Sequence, residues 1–307
     1  MTELEKYFEE YLNYLEVERG RSIKTRENYG RYLKAFFEWA KIKSTKDINL
    51  DLVRNFRMHL SRVSRGKTGN ETGLKKNTQA YYIIAIRNFL KYLIKRDISV
   101  LAPDKIELPK MGMRQVELPH EEDLSRLLKT PDTSSLRGLR DKAILETFFS
   151  TGLRLSELCA LGRYIDLGRG ELQIKGKGGK LRLVFFSDDA KAALKNYLAK
   201  RDDTDPALFV SFTGNPKQKT PKVIGRITPR AVQRLINFYA RKAGIQERVT
   251  PHMLRHMFAT DLLINGADIR AVQELLGHSN IATTQVYTHL TDKGLREIHK
   301  AFHGKRS

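Results

Sequence analysis

Along the first hundred residues, apolar positions recur at intervals of three and four rather than two, which is the helical period. Leu4, Phe8, Tyr11, Leu12 and Leu15 fall on one face of a helix over residues 3–18, with Gly20 as its expected stop. A second helix is predicted from about Lys24 to Lys41, with Leu33, Phe36, Phe37 and Ala40 inward. A third starts near Asn49 and buries Leu52, Val53, Phe56 and Leu60. A fourth follows Asn77, a plausible N-cap, and runs to about Lys95. No alternating pattern interrupts them, so residues 1–102 read as a small all-α domain. Three prolines between Pro103 and Pro119 break the pattern, and residues 103–117 read as a linker.

Residues 118–307 follow a different plan. A helix begins near His120. Residues 171–175 and 181–186 alternate as strands, joined by the turn sequence Gly-Lys-Gly-Gly-Lys at 176–180. Thr250 and Pro251 are an N-cap and a first helical residue, and Gly277 ends a helix that starts near Asp268. Residues 213–226 read as a long Pro/Lys loop. After Thr291, the residues Leu295, Ile298 and Phe302 share one side of a predicted tail helix. The expected fold is mainly α with one small β-hairpin, in two domains.

Composition adds a partner class. The chain carries 56 Lys+Arg against 35 Asp+Glu, a formal net charge of +21. Up to Leu108 there are 22 basic and 14 acidic residues, so both domains are basic. Such an excess favours a polyanion, and nucleic acid is the obvious one. Lys24 and Arg26 sit at one predicted helix start, Lys75 and Lys76 at another, where cations and a positive helix end together grip phosphate. Between the third and fourth helices a Gly/Ser/Thr-rich basic stretch holds Arg62, Arg65 and Lys67, either a solvated loop or a DNA contact. Lys180 and Arg230 are further candidate contacts in the second domain. The single Cys159 excludes an internal disulfide and lies in an apolar stretch, as a packed core residue would. No run approaches the roughly 20 apolar residues of a membrane span, and the N-terminus has no apolar signal region. The expectation is a cytoplasmic protein without a membrane anchor.

The chemistry-bearing residues come in order: Arg154 in Thr-Gly-Leu-Arg, Lys177 in Gly-Lys-Gly-Gly, His252 and Arg255 in His-Met-Leu-Arg, then His278 and Tyr287. Guanidinium forks neutralise phosphate oxygens. Imidazoles pass protons near neutral pH. A phenol can form a covalent phosphoryl link. Taken singly, each has a bland alternative: a solvated His/Arg face, an Arg154–Glu157 surface ion pair, a solvated turn lysine, a capping His278, a packed Tyr287. Glu157, three residues beyond Arg154, could instead orient it.

Jointly these alternatives weaken. Thr-Gly-Leu-Arg-Leu-Ser-Glu-Leu, His-Met-Leu-Arg-His-Met-Phe-Ala-Thr and Leu-Leu-Gly-His-Ser-Asn-Ile-Ala-Thr-Thr-Gln-Val-Tyr-Thr-His together resemble the tyrosine recombinases, the phage integrase family, and the whole chain resembles their Xer-type members. The resemblance implies an N-terminal SAM-like core-binding domain and a catalytic domain, closing as a C-shaped clamp on DNA. It implies that Arg154, Lys177, His252, Arg255, His278 and Tyr287 form the active site, with Tyr287 as nucleophile. It implies a 3′-phosphotyrosyl intermediate, a Holliday junction, and no metal or other cofactor. The implied partner is double-stranded DNA with two inverted half-sites, bound by a homo- or hetero-tetramer of protomers that are largely monomeric when free. The sequence opens directly on the core-binding-like helices, which favours the simpler Xer-type machine and a role in chromosome dimer resolution. Integration of a mobile element uses the same chemistry and is the alternative. A topoisomerase-like nicking enzyme and a catalytically silent DNA-binding protein fit less well. Two departures stand out: Met257 occupies a position where many relatives have a small hydroxyl residue, and Gly162-Arg163-Tyr164 replaces a tryptophan-containing stretch.

Overall fold

A computed structural model provides the fold and describes residues 2–62, 73–108, 121–176, 179–213 and 222–277. The chain divides into two compact units, Met1–Arg114 and Gln115–Ser307.

The first unit is helical, as its period predicts. Its helices are α1 (Glu3–Glu16), α2 (Ile23–Ala40), α3 (Leu50–Arg62) and α4 (Lys76–Ile94). Thr2 caps α1 in a capping box with Glu5, and Ser22 caps α2. The five residues assigned to the inner face of α1 are all buried. The core is rich in rings: Tyr11 meets Phe89 at 5.3 Å between centroids, and Phe36 meets Phe56 at 5.0 Å. Three boundaries differ from expectation. α1 stops at Glu16, before Gly20, because the Arg21 N–H already closes back on the Leu15 carbonyl. α4 begins at Lys76, so Asn77 lies inside the helix rather than capping it. Residues 103–105 form a 3-10 turn and Ile106 enters this unit's core, so the start of the expected linker is packed structure.

The second unit is built on α6 (Leu136–Thr151), which follows α5 (Glu121–Lys129). Ala143, Ile144, Leu145 and Phe148 of α6 are fully buried. α7 (Leu155–Ala160) follows after a three-residue turn, with Cys159 in the core. Strands β1 (Glu171–Lys175) and β2 (Leu181–Phe185) pair antiparallel, with Ile174 opposite Arg182 and Leu172 opposite Val184 on the inner face. α8 (Asp188–Ala199) packs along α6. β3 (Val210–Phe212) and β4 (Val223–Arg226) form a second small antiparallel sheet. The expected Pro/Lys loop therefore contains a strand. Residues 214–221 of it lie outside the described residues. Helices α9 (Pro229–Lys242), α10 (Pro251–Ile264) and α11 (Ile269–Leu276) follow. Thr250 caps α10 ahead of Pro251, and Gly277 closes α11 in the left-handed conformation, both as predicted. Met257 is buried in the main core, where its apolar thioether needs no hydrogen-bond partner.

Charge is also folded inward. Arg140 donates to Asp141 Oδ1 from Nε and Nη2 at 2.8 and 2.6 Å and to the Val210 carbonyl at 2.8 Å. The Tyr239 hydroxyl donates to Asp141 Oδ2 at 3.0 Å. This network ties α6 to β3 and α9, and every charge in it is satisfied.

Gly152 makes the turn from α6 to α7. Its φ is +56°, and a Cβ there would lie 2.3 Å from Phe258 Cδ1 and 3.2 Å from Leu276 Cδ2. Gly152→Ala therefore combines left-handed strain with overpacking, and it should destabilise the second unit by about 2–4 kcal/mol. Denaturant unfolding of wild type and variant measures this directly. An unchanged midpoint would show that the Phe258 ring swings clear at no cost.

Candidate active site

Arg154 is the N-cap residue of α7, placed by the Gly152 turn and by fully buried Leu153. Its backbone N–H donates to Glu157 Oε2 at 2.8 Å, and its Nη1 donates to Glu157 Oε1 at 2.8 Å. A glutamate in the third helical position thus caps the helix and holds the arginine's side chain together. Glu157 is only 8% exposed, so the surface ion-pair alternative fails. The same carboxylate receives a fork from Arg182, whose Nη1 and Nη2 donate to Oε1 and Oε2 at 3.0 and 2.6 Å. Burial would raise the carboxyl pKa of Glu157, but the hydrogen bonds from Arg182 and Arg154 outweigh it and hold it down to about 2.

Three arginines then meet one helix end. Arg182 Nε donates to the Leu275 carbonyl at 2.9 Å. Arg255 Nη2 donates to the Leu276 carbonyl, and its Nη1 to the carbonyl of Gly152. Arg154 Nη2 donates to the Gly277 carbonyl at 2.7 Å. Successive carbonyls at the C-terminus of α11, groups that no helix can satisfy internally, are taken by side chains from β2, α10 and the α7 N-terminus. The negative end of the helix dipole favours the same cations.

His252 lies one turn before Arg255 on α10 and is more exposed than either arginine. Burial of its ring, then the nearby charges of Arg255 and Arg154, hold its pKa below the ordinary value. His256 packs edge-on against it, with ring centroids 4.7 Å apart. Burial first, then His252 and Arg255, push His256 down to about 4. Both rings therefore favour the neutral form more strongly than a free imidazole does. Cys159 is pushed up to about 11 by burial, only partly offset by Arg226, and is no thiolate nucleophile.

The structure thus brings together Arg154, Glu157, His252 and Arg255. Lys177, His278 and Tyr287 lie outside the described residues, although Gly176 and Gly277, the chain neighbours of Lys177 and His278, flank the cluster: a Cβ at Gly176 would lie 3.7 Å from Arg154 Nη1. Arg182 was missed in the sequence. Its signal was parity, since it shares the inward side of β2 with Val184, where a charge demands partners. Among the described residues, no group of three or more His, Cys, Asp and Glu is arranged to hold a metal ion.

The candidate DNA contacts fare unevenly. Arg62, Lys75, Lys76, Lys180 and Arg230 are exposed. Lys24 is exposed but pairs with Glu27 at 2.9 Å. Arg26 is turned to Glu16 at 3.2 Å and Glu9 at 4.0 Å, so its charge is already partnered within the first unit. Arg65, Lys67 and the tail residues Leu295, Ile298 and Phe302 lie outside the described residues.

Comparison with known proteins supplies the context. Residues 119–293 match the phage integrase family, and residues 8–97 match the phage integrase N-terminal SAM-like domain. The tyrosine recombinase XerC of Thermodesulfovibrio yellowstonii is 34% identical over 99% of this chain and 98% of its own. The tyrosine recombinase XerD of Halalkalibacterium halodurans is 33% identical over 96% of each. Among solved structures, a XerH site-specific recombinase bound to a palindromic difH substrate in a post-cleavage complex superposes with a TM-score of 0.67 at 23% identity, covering 92% of this chain and 81% of that one.

Depressed imidazole pKa values make stability pH-dependent. Unfolded histidines take up protons near pH 6.5. Between pH 6.5 and 4 the unfolded state therefore binds more protons than the folded state, and stability falls as pH falls through that window. NMR titration should find His256 half-protonated near pH 4 and His252 below 6.5. His256→Phe should flatten the acid loss of stability. A His256 midpoint at or above 6.5 would refute the burial account.

Proposed function

Because this chain belongs to the phage integrase family and is a tyrosine recombinase, an enzyme of site-specific DNA recombination, we propose that Arg154, Glu157, His252 and Arg255, completed by Lys177, His278 and Tyr287, form its strand-exchange centre. The observation that carries this assignment is the convergence of Arg154 and Arg255, remote in sequence, on successive carbonyls of α11 immediately before His278.

In this reading the Tyr287 hydroxyl oxygen attacks the scissile phosphorus. Its proton passes to a neutral imidazole, His252 being a described one, and the 5′ oxygen leaves with a proton from Lys177. The bond to the 5′ oxygen breaks as the 3′-phosphotyrosyl bond forms, so the link's energy is kept for the reverse attack by a 5′ hydroxyl of another strand. Arg154, Arg255 and His278 bear the charge that grows on the nonbridging oxygens. About a third of the Arg154 side chain is exposed, and its guanidinium has more N–H groups than the two spent on Glu157 and Gly277. Removing one such preorganised donor typically raises the barrier by about 3–4 kcal/mol.

We extend the reading to assembly and role. The partner is duplex DNA with inverted half-sites, held by the SAM-like helical domain and the catalytic domain, whose limits we take as residues 1–102 and 118–307. Four protomers assemble on synapsed DNA, with the apolar tail positions Leu295, Ile298 and Phe302 docking between neighbours. No described helix is long and apolar enough to cross a membrane, and the place of action proposed is the cytoplasm, on the chromosome. The nearly full-length likeness to XerC and XerD proteins favours chromosome dimer resolution over mobile-element integration.

Incubation with a nicked suicide duplex should trap a detergent-stable protein–DNA adduct. Tyr287→Phe should abolish it with DNA affinity retained. Lys177→Ala should be slow on the ordinary duplex and recover on one with a 5′-bridging sulfur, whose leaving group needs no proton, whereas Arg154→Ala should not recover. An adduct persisting in Tyr287→Phe sinks the nucleophile assignment, and equal rescue of Lys177→Ala and Arg154→Ala sinks the acid. The biological role is read from a genome-wide footprint of the protein. One site near the replication terminus is expected for dimer resolution, and sites flanking its own gene would assign it to a mobile element.

A further inference from the structure

We propose that Arg182 is a positioning residue of the recombinase centre, holding the Arg154 phosphate clamp and the segments that carry Lys177 and His278 in one geometry; this rests on the reading of the site given above. Arg182 is 8% exposed. Its guanidinium spends one edge on both oxygens of Glu157 and its Nε on the Leu275 carbonyl. Glu157 in turn fixes Arg154 through both the backbone N–H and Nη1. The arginine also fills the space between two glycines. A Cβ at Gly277 would come within 3.0 Å of Arg182 Cδ, and a Cβ at Gly176 within 3.2 Å of Arg182 Nη1. Gly176 and Gly277 directly precede Lys177 and His278 in the chain. One planar fork therefore touches the residue that orients Arg154, the residue before the candidate acid and the helix end before the second histidine. Its bonded donors go to Glu157 and Leu275 and its side chain is only 8% exposed, so its assigned role is to position its neighbours.

The geometry requires a guanidinium. Three donors in a fixed plane meet a carboxylate on one side and a carbonyl on another, and a lysine ammonium on a flexible stem cannot reproduce that plane. Losing a partner that orients a functional side chain typically costs about 10–100-fold in activity. The loss has a signature. If Arg182 acts through the clamp, its absence matters most when the phosphate carries its full charge. A methylphosphonate, in which a methyl group replaces one nonbridging oxygen, is neutral and makes less demand on the clamp.

The test is single-turnover adduct formation by the full chain on suicide duplexes carrying an ordinary phosphate or a methylphosphonate at the cleavage position. Wild type, Arg182→Lys and Arg182→Gln are compared, with DNA affinity measured alongside. Both variants should lose about 10–100-fold on the phosphate, bind DNA as wild type does, and show a clearly smaller deficit on the methylphosphonate. Arg182→Lys cleaving the phosphate at the wild-type rate would overturn the proposal. So would equal loss on both substrates, the result expected of an arginine that only supports the fold or of variants that fail to fold. A wild type that forms no adduct on either duplex would instead reject the recombinase centre, and this proposal with it.

Discussion

The C-terminal end of α11 is where the proposed active site is either assembled or lost. Its last carbonyls have no partner within the helix, and a buried carbonyl left unpaired costs about 1–3 kcal/mol. Arg182, Arg255 and Arg154 have the opposite deficit: guanidinium N–H groups drawn out of water need acceptors. Joining the two deficits at Leu275, Leu276 and Gly277 settles both. The same bonds place the α7 N-terminus, β2 and α10 around one point. Two left-handed glycines make this possible, Gly152 by admitting Phe258 and Gly277 by leaving room for the stem of Arg182.

Charge within the cluster does not balance. Two guanidiniums, those of Arg154 and Arg182, share one carboxylate, Glu157, whose proton is held off down to a pH of about 2. Carbonyl dipoles of α11 temper the surplus without cancelling it. A surplus of positive charge beside two imidazoles that favour the neutral form is an environment ready for an anion and poor for a further cation. Burial, then the charges of Arg255 and Arg154, hold the His252 pKa down, so the groups that would clamp a phosphate also favour the neutral form of the neighbouring imidazole. Binding and proton transfer thus draw on one electrostatic arrangement. It is preorganised before substrate arrives, which is where such stabilisation gains its force.

How legible this was depended on whether the information was local. The helical period of the first domain was plain, because Leu4, Phe8, Tyr11, Leu12 and Leu15 repeat within one segment. The caps at Thr250 and Gly277 were legible for the same reason. Helix boundaries at Gly20 and Asn77 were not, since tertiary packing and hydrogen bonding can stop or start a helix before the obvious punctuation. β3 and β4 are three and four residues long and flank a Pro/Lys stretch, too little for a period to register. In the site, motif spacing exposed Arg154 and Arg255. Arg182 stayed hidden because its partners, Glu157 and Leu275, lie far along the chain on either side. Only the inward parity of a charged residue in β2 pointed to it.

Directional bonds add to apolar packing in seating α11. Among the described residues, Val272 and Leu276 meet Ala259 of α10 in a small buried cluster, with partly buried Phe258, Leu262, Leu263 and Ala267 packed against it. Apolar burial is non-directional and tolerates slippage of a short helix. Three charge-assisted bonds to three neighbouring carbonyls do not, because a rotation of the helix by one residue would misalign them all. The arginines therefore set the rotation and height of α11, and with them the starting point of the chain that leads to His278 and Tyr287. A site that must hand DNA strands between partners needs its nucleophile delivered from a fixed origin. In this fold that origin is polar, and two of the three arginines that make it, Arg154 and Arg255, are the ones proposed to clamp the phosphate.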